Sequence, residues 1–118
     1  MQYIAIIQSH SPFNQAKARE TLDLILALAA VEHQVTVIFH EDAVYQLLSL
    51  GDEQPYPLKA FQKSFGLFAL YAIERCIVCA ASLQARGLTA MPLPEGFIVA
   101  SHADIQAELA QAQQIIRC

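Results

Sequence analysis

Charge is scarce in this chain. Of its 118 residues 15% are Asp, Glu, Lys or Arg, against roughly 25% in an average soluble domain. No basic run occurs and the formal net charge is −4, so a direct grip on a nucleic-acid backbone, which needs clustered Lys and Arg, is not expected. Long apolar runs are missing too: none approaches the ~20 residues that span a bilayer. The opening Met1-Gln2-Tyr3-Ile4-Ala5-Ile6-Ile7 carries no basic stretch of the kind that begins a signal peptide, and it reads as a first strand. Three cysteines, an odd number, without an export signal predict free thiols in a reducing cytoplasm.

Other absences narrow the chemistry. The loop after the first strand, residues 8–14, holds no glycine, so it contains neither the dinucleotide fingerprint nor a P-loop. Ser9 and Ser11 are only a weak match to a flavodoxin-like phosphate loop. No second closely spaced ligand pair accompanies Cys76 and Cys79, and no zinc site is expected. No paired carboxylates stand where general acid–base work would need them. Neither a cofactor nor a metal is expected.

What is present is apolar: 55% of the chain is hydrophobic. A soluble protein of this composition is expected to hide part of its surface in an oligomer; the alternative is a monomer with an unusually apolar core. The length predicts one domain over residues 1–118. Residues 3–8 form a compact β run, and Asn14 is a candidate cap for a helix over 15–31 that is apolar on two sides. Residues 34–39, rich in β-branched side chains, are a second strand ending at His40. Glu41 and Asp42 suit the first turn of a helix over 41–50, closed by Gly51. Leu58, Phe61, Phe65, Phe68 and Ala72 recur at spacings of three and four, which predicts a helix over 57–71. That helix is either a subunit contact or a helix between two layers of one domain.

Residues 89–96 contain two prolines and one glycine and are loop. Residues 97–100 are a fourth strand, Ser101 caps a helix running to about 113 with Asp104 in its first turn, and Ile115, Ile116 and Arg117 close the chain as a strand. Strands alternating with helices predict an α/β fold: three layers, α/β/α, around a five-stranded, mainly parallel sheet.

Residues 73–88 organise the rest. An apolar strand over 76–80 passes into a helix of about two turns that stops at Gly87. Cys76-Ile77-Val78-Cys79 has the spacing of a dithiol redox pair, but strand geometry opposes it: residues three apart point to opposite faces and lie ~10 Å apart. A disulfide tolerates at most ~7 Å between Cα atoms. Cys76, mid-strand, is expected in the core.

Cys79 falls where strand meets helix, outside the carboxyl ends of the strands, where ligands collect in open α/β sheets. Beside a helix start, with small neighbours Ala80, Ala81 and Ser82, it is a candidate reactive thiol. The bland alternative is a small buried hydrophobe, as free cysteine often is. Lys17 and Arg19 lie on the same edge and would add positive potential, and His10 and His40 end the first two strands there. A histidine ending a strand is more often solvated or locally hydrogen-bonded than catalytic. His33 and His102 read as loop or cap residues, and Cys118 as an exposed, oxidisable thiol.

Several segments resemble the TusC/DsrF group of the DsrE/DsrF-like family. Tyr3-Ile4-Ala5-Ile6-Ile7, Ala18-Arg19-Glu20 with Leu22-Asp23, and Asp42-Ala43-Val44-Tyr45-Gln46-Leu47-Leu48 carry the likeness. So does the run from Leu70 to Leu83 through Glu74-Arg75-Cys76-Ile77-Val78-Cys79, continuing to Arg86-Gly87-Leu88. The resemblance implies a small three-layer α/β domain that is one subunit of a sulfur-relay hetero-oligomer with TusB-like and TusD-like chains. Such a complex takes persulfide sulfur from a TusA-like carrier and passes it towards a TusE-like one, for 2-thiouridine at the wobble position of tRNA. DsrE, DsrF and DsrH proteins are the similar set in sulfur oxidation. The resemblance assigns the sulfur-carrying cysteine chiefly to the TusD/DsrE chain, at the strand end where this sequence has Cys79. It thus implies a supporting subunit, not an enzyme by itself, with direct transfer through a Cys79 persulfide as the alternative.

Overall fold

The first strand of the computed structural model, β1 (Tyr3–Gln8), is buried from its second residue to its last, which explains why its apolar residues run on without alternation. The structure describes residues 2–11, 15–31, 33–47, 73, 75–90, 93 and 96–118, and only the backbone of residues 15–18. The cap expected at Asn14 and the helix expected over 57–71 lie outside the described residues. Helix α1 (Gln15–Ala30) leads into β2 (Gln34–Phe39). A 3-10 helix (Glu41–Leu47) follows where a longer helix over 41–50 is expected; residues 48–51 are outside the described part.

Strand β3 (Arg75–Cys79) begins and ends one residue earlier than its apolar run suggests. Helix α2 (Ala80–Ala85) stops as the glycine predicts. Gly87 takes φ 69°, its N–H donates to the Gln84 carbonyl (3.2 Å), and the Leu88 N–H donates to the Leu83 carbonyl (2.9 Å). Those paired bonds are a Schellman ending, and the left-handed residue between them is the reason for glycine. Strand β4 (Phe97–Ala100), helix α3 (His102–Gln111) and strand β5 (Gln114–Arg117) complete the order. Ser101 caps α3 as expected: its Oγ accepts from the Asp104 N–H at 3.2 Å.

All five strands are parallel, in the order β4-β3-β2-β1-β5. The chain moves one way across the sheet from β1 to β4, then returns beyond β1 to lay down β5. Parallel crossovers are right-handed, so reversing direction puts the connecting helix on the other face. The two cores bear this out. On one face Leu22 and Ile25 of α1, Ala43, Val44 and Leu47 of the 3-10 helix, and Leu83 of α2 pack on Ile4, Ile6, Val35, Val37, Phe39, Cys76 and Val78. On the other, Ile105 and Leu109 of α3 pack on Ile7, Ile38, Ile77, Cys79 and Ala100. The expected three-layer α/β/α arrangement is therefore present.

Helix α3 is also latched to the sheet through a polar cluster. Glu108, 9% exposed, receives hydrogen bonds from the Tyr3 hydroxyl and from Arg75 Nη2 (3.1 Å), with Arg75 Nε at 3.1 Å from its other oxygen. Thr36 Oγ1 in turn donates to Tyr3 Oη at 2.9 Å. Burial pushes the Glu108 carboxyl above its ordinary value. The Arg75 guanidinium pulls the other way but is half-exposed, so water weakens it.

Candidate functional site

Cys79 stands in register with Ala100, and the helices that follow these two residues leave for opposite faces of the sheet. That divergence parts the two connections at the carboxyl ends of β3 and β4, while the strand order itself reverses between β1 and β5, the switch point at which open α/β sheets bind ligands. Sequence reasoning put Cys79 at a strand end. The strand order places that end two strands away from the reversal between β1 and β5.

Around it the carboxyl edge is tightly tied. Cys79 is the N-cap residue of α2, with extended backbone and no hydrogen bond from its side chain to the helix. Its thiol side instead joins the core under α3, and the residue is 4% exposed. The Glu41 N–H donates to Ser82 Oγ at 2.9 Å, joining the end of β2 to α2. Arg86, just past α2, holds Asp42 Oδ1 through Nε (3.1 Å) and Nη2 (2.9 Å), and the Ser82 carbonyl through Nη1 (3.2 Å). Glu41 itself sits at φ 53°, in the left-handed region that non-glycine residues avoid. Gln46, 1% exposed, donates to the His10 carbonyl (3.0 Å) and towards Gln8 Oε1 (3.4 Å), so it fixes the end of β1.

The remaining candidates fall as follows. Cys76 lies in the core on the face of the sheet that α1 shares with the 3-10 helix and α2, across the sheet from Cys79, and burial pushes its thiol up to about 12. Both are free thiols, as strand geometry requires. His40 is partly exposed at the end of β2, with Nδ1 3.7 Å from Glu41 Oε1. His10 is half-buried at the end of β1; His33 Nδ1 accepts from the Gln2 N–H at 3.2 Å; His102 is exposed at the start of α3. Arg19 is exposed, and the side chain of Lys17 is outside the described part. Cys118 is less exposed than expected, because the β1–β5 pairing runs past Arg117: the Cys118 N–H donates to the Ile7 carbonyl (2.9 Å) and its own carbonyl accepts from the Ser9 N–H (3.1 Å).

Sequence reasoning missed Gln46, Ser82 and Arg86 as the residues that organise this edge. Gln46 had a readable signal, a polar side chain inside the apolar Ala43-Val44-Tyr45-Gln46-Leu47. Ser82 and Arg86 had none, since their partners are 41 and 44 residues away. Among the described residues no group of three or more His, Cys, Asp or Glu side chains is placed to hold a metal ion. No helix among them is long and apolar enough to cross a membrane.

Comparison with known proteins agrees with the geometry. The profile of the DsrE/DsrF-like family matches residues 2–118. Protein TusC of Escherichia coli O8 (strain IAI1) is 43% identical over 88 residues, covering 75% of this chain and 74% of the relative. Protein TusC of Shigella flexneri is 42% identical over the same length and coverage. The crystal structure of the ychN protein from E. coli superposes with a TM-score of 0.83 at 19% identity, over 100% of both chains. Protein MTH1491 from Methanobacterium thermoautotrophicum superposes at 0.69 and 16% identity, over 98% of this chain and 97% of that one. At such identities the two structures speak for the fold alone.

Proposed function

The chain belongs to the DsrE/DsrF-like family, and on that footing we propose that it is a supporting subunit of a sulfur-relay complex. In this reading it assembles in the cytoplasm with TusB-like and TusD-like chains. The complex passes persulfide sulfur from a TusA-like to a TusE-like carrier, for 2-thiouridine at the tRNA wobble position. The observation that carries the reading is the 43% identity to protein TusC over 75% of the chain.

The site supports the supporting role. Persulfide transfer needs a thiolate that an incoming sulfur atom can reach. At 4% exposure each, neither Cys76 nor Cys79 offers one, and the Cys76 thiol is pushed up to about 12 besides. The outer strands fit a chain surrounded by others: Ile98 and Val99 on β4 and Ile115 on β5 are all exposed. Among the described residues no strand pairs with the outer edges of β4 and β5, and apolar side chains on such edges are a feature that lone soluble domains avoid. A second reading, transfer through a Cys79 persulfide, is favoured by one observation only, the place of that residue at the carboxyl end of β3 against the start of α2.

The test is co-purification from the protein's own cells at native expression. Recovery of TusB-like and TusD-like chains in equal amounts with the tagged chain is expected. A tagged chain that recovers neither contradicts the reading.

A further inference from the structure

The two faces of the sheet are held very differently. On one, α1, the 3-10 helix and α2 together bury a broad apolar layer. On the other, α3 is the only helix among the described residues that packs on the sheet. Of its ten residues only Ile105 and Glu108 are buried; Leu109 is half-buried and the others are exposed. One of the two buried side chains is thus charged, and its contacts with Tyr3 and Arg75 stand where a second apolar side chain would. Such a contact parts readily, because water solvates both ions once the helix leaves. Burial pushes the Glu108 carboxyl up, the mark of an ion that gains by returning to water. The groups facing it from the sheet are Tyr3 of β1, Thr36 of β2 and Arg75 of β3, and Asp104 stands one turn before it on α3 itself. Both ends of the helix are tied to strands. Ser101 follows directly on β4, which pairs with β3. At the far end the Gln113 N–H donates to the Tyr3 carbonyl (2.8 Å), and Gln113 Oε1 accepts from the Tyr3 N–H (2.7 Å).

We propose that α3 is a strap: the segment His102–Gln111 lifts from the sheet as a unit while all five strands stay paired, and its lifting uncovers Cys79. A helix of this length does not persist alone in water, so the lifted segment gives up its helical bonds and takes water instead. Local opening of this kind is the property of elements with few buried apolar contacts. Beneath the strap Ile7, Ile38, Ile77 and Ala100 meet solvent together with the Cys79 thiol. Cys76 stays covered, because its face is closed by three other elements. The strap gives the buried thiol at the end of β3 a route to small molecules that the closed fold denies it. It holds or fails independently of the sulfur-relay reading.

The experiment treats the purified full-length chain with methyl methanethiosulfonate at pH 8 and follows each thiol by fragmenting the peptide 76–86 in a mass spectrometer. Both thiols are equally open in an unfolded chain, so global unfolding labels them at one rate. Through the strap, Cys79 is expected to react about ten-fold faster than Cys76, or more. Tyr3→Phe and Arg75→Met strip donors from Glu108 and are expected to speed Cys79 several-fold. Ile25→Val thins the core of the other face, which is intact whether the strap is closed or lifted. It should therefore speed Cys76 and leave Cys79 unchanged. Equal rates at the two thiols in wild type, acceleration of both by Ile25→Val, or an unmoved Cys79 in Tyr3→Phe and Arg75→Met overturns the proposal.

Discussion

Cys76 and Cys79 share one strand, yet the sheet lies between their side chains: the first packs on the face that carries α1, the 3-10 helix and α2, the second under α3. The pair therefore cannot close into a disulfide, and each thiol answers to a different helix layer.

Burial sets the reactivity of the first. With its thiol pushed up to about 12, Cys76 holds almost no thiolate at pH 8. Iodoacetamide at that pH, followed by peptide mass spectrometry, is expected to leave Cys76 unmodified in the native protein and to label it fully in denaturant. Rapid native labelling would show that β3 is not buried as described.

Access to the second depends on α3. Ile105, 7% exposed, packs in the cluster that covers Cys79. Ile105→Ala removes that cover and is expected to cost about 2–4 kcal/mol of stability. It should also raise the native labelling rate of Cys79 while leaving Cys76 protected. Equal acceleration at both thiols would mean global unfolding, and the helix would not be a separate cover.

The latch on α3 gives stability a pH dependence. Because the Glu108 carboxyl is raised in the fold, the folded state binds more protons than the unfolded chain above the ordinary glutamate value of about 4.3. The contribution of this group is thus full below that value and is lost as pH rises through the folded one. Thermal melts of wild type and Glu108→Gln should accordingly diverge with rising pH, wild type losing ground. A wild type that gains on the variant over the same range would mean that Arg75 outweighs burial.

Backbone strain at Glu41 offers a test of the tied edge. A residue other than glycine at φ 53° costs roughly 1 kcal/mol. Glu41→Gly is expected to match or exceed wild type in melting temperature, and Glu41→Val to fall below it by about 1–2 kcal/mol, since branching at Cβ worsens the clash. The reverse ranking would remove the left-handed turn from the account.

Much of the architecture was legible in the sequence because local rules governed it. The β-branched run Val35-Thr36-Val37-Ile38 made a strand, Ser101 with Asp104 made a cap, and Gly87 ended α2 through a left-handed residue. The site was legible in part. Cys79 was found at its strand end, but its burial depends on Ile105 and Leu109 arriving from α3, and that follows from a strand order no local pattern encodes. The same holds for Glu108, whose partners Tyr3 and Arg75 lie 105 and 33 residues away. Cys118 read as an exposed end because its pairing with Ile7 and Ser9 needs β5 beside β1.

The central claim is that this chain supports a sulfur relay without Cys79 as the main sulfur-carrying thiol. It is tested most directly by measuring wobble 2-thiouridine in tRNA from cells that lack the chain, complemented with wild type or with Cys79→Ser. Loss of the modified base in the deletion and its return with both versions is the predicted result. A Cys79→Ser chain that is as deficient as the deletion, or a deletion that keeps its 2-thiouridine, would contradict the account.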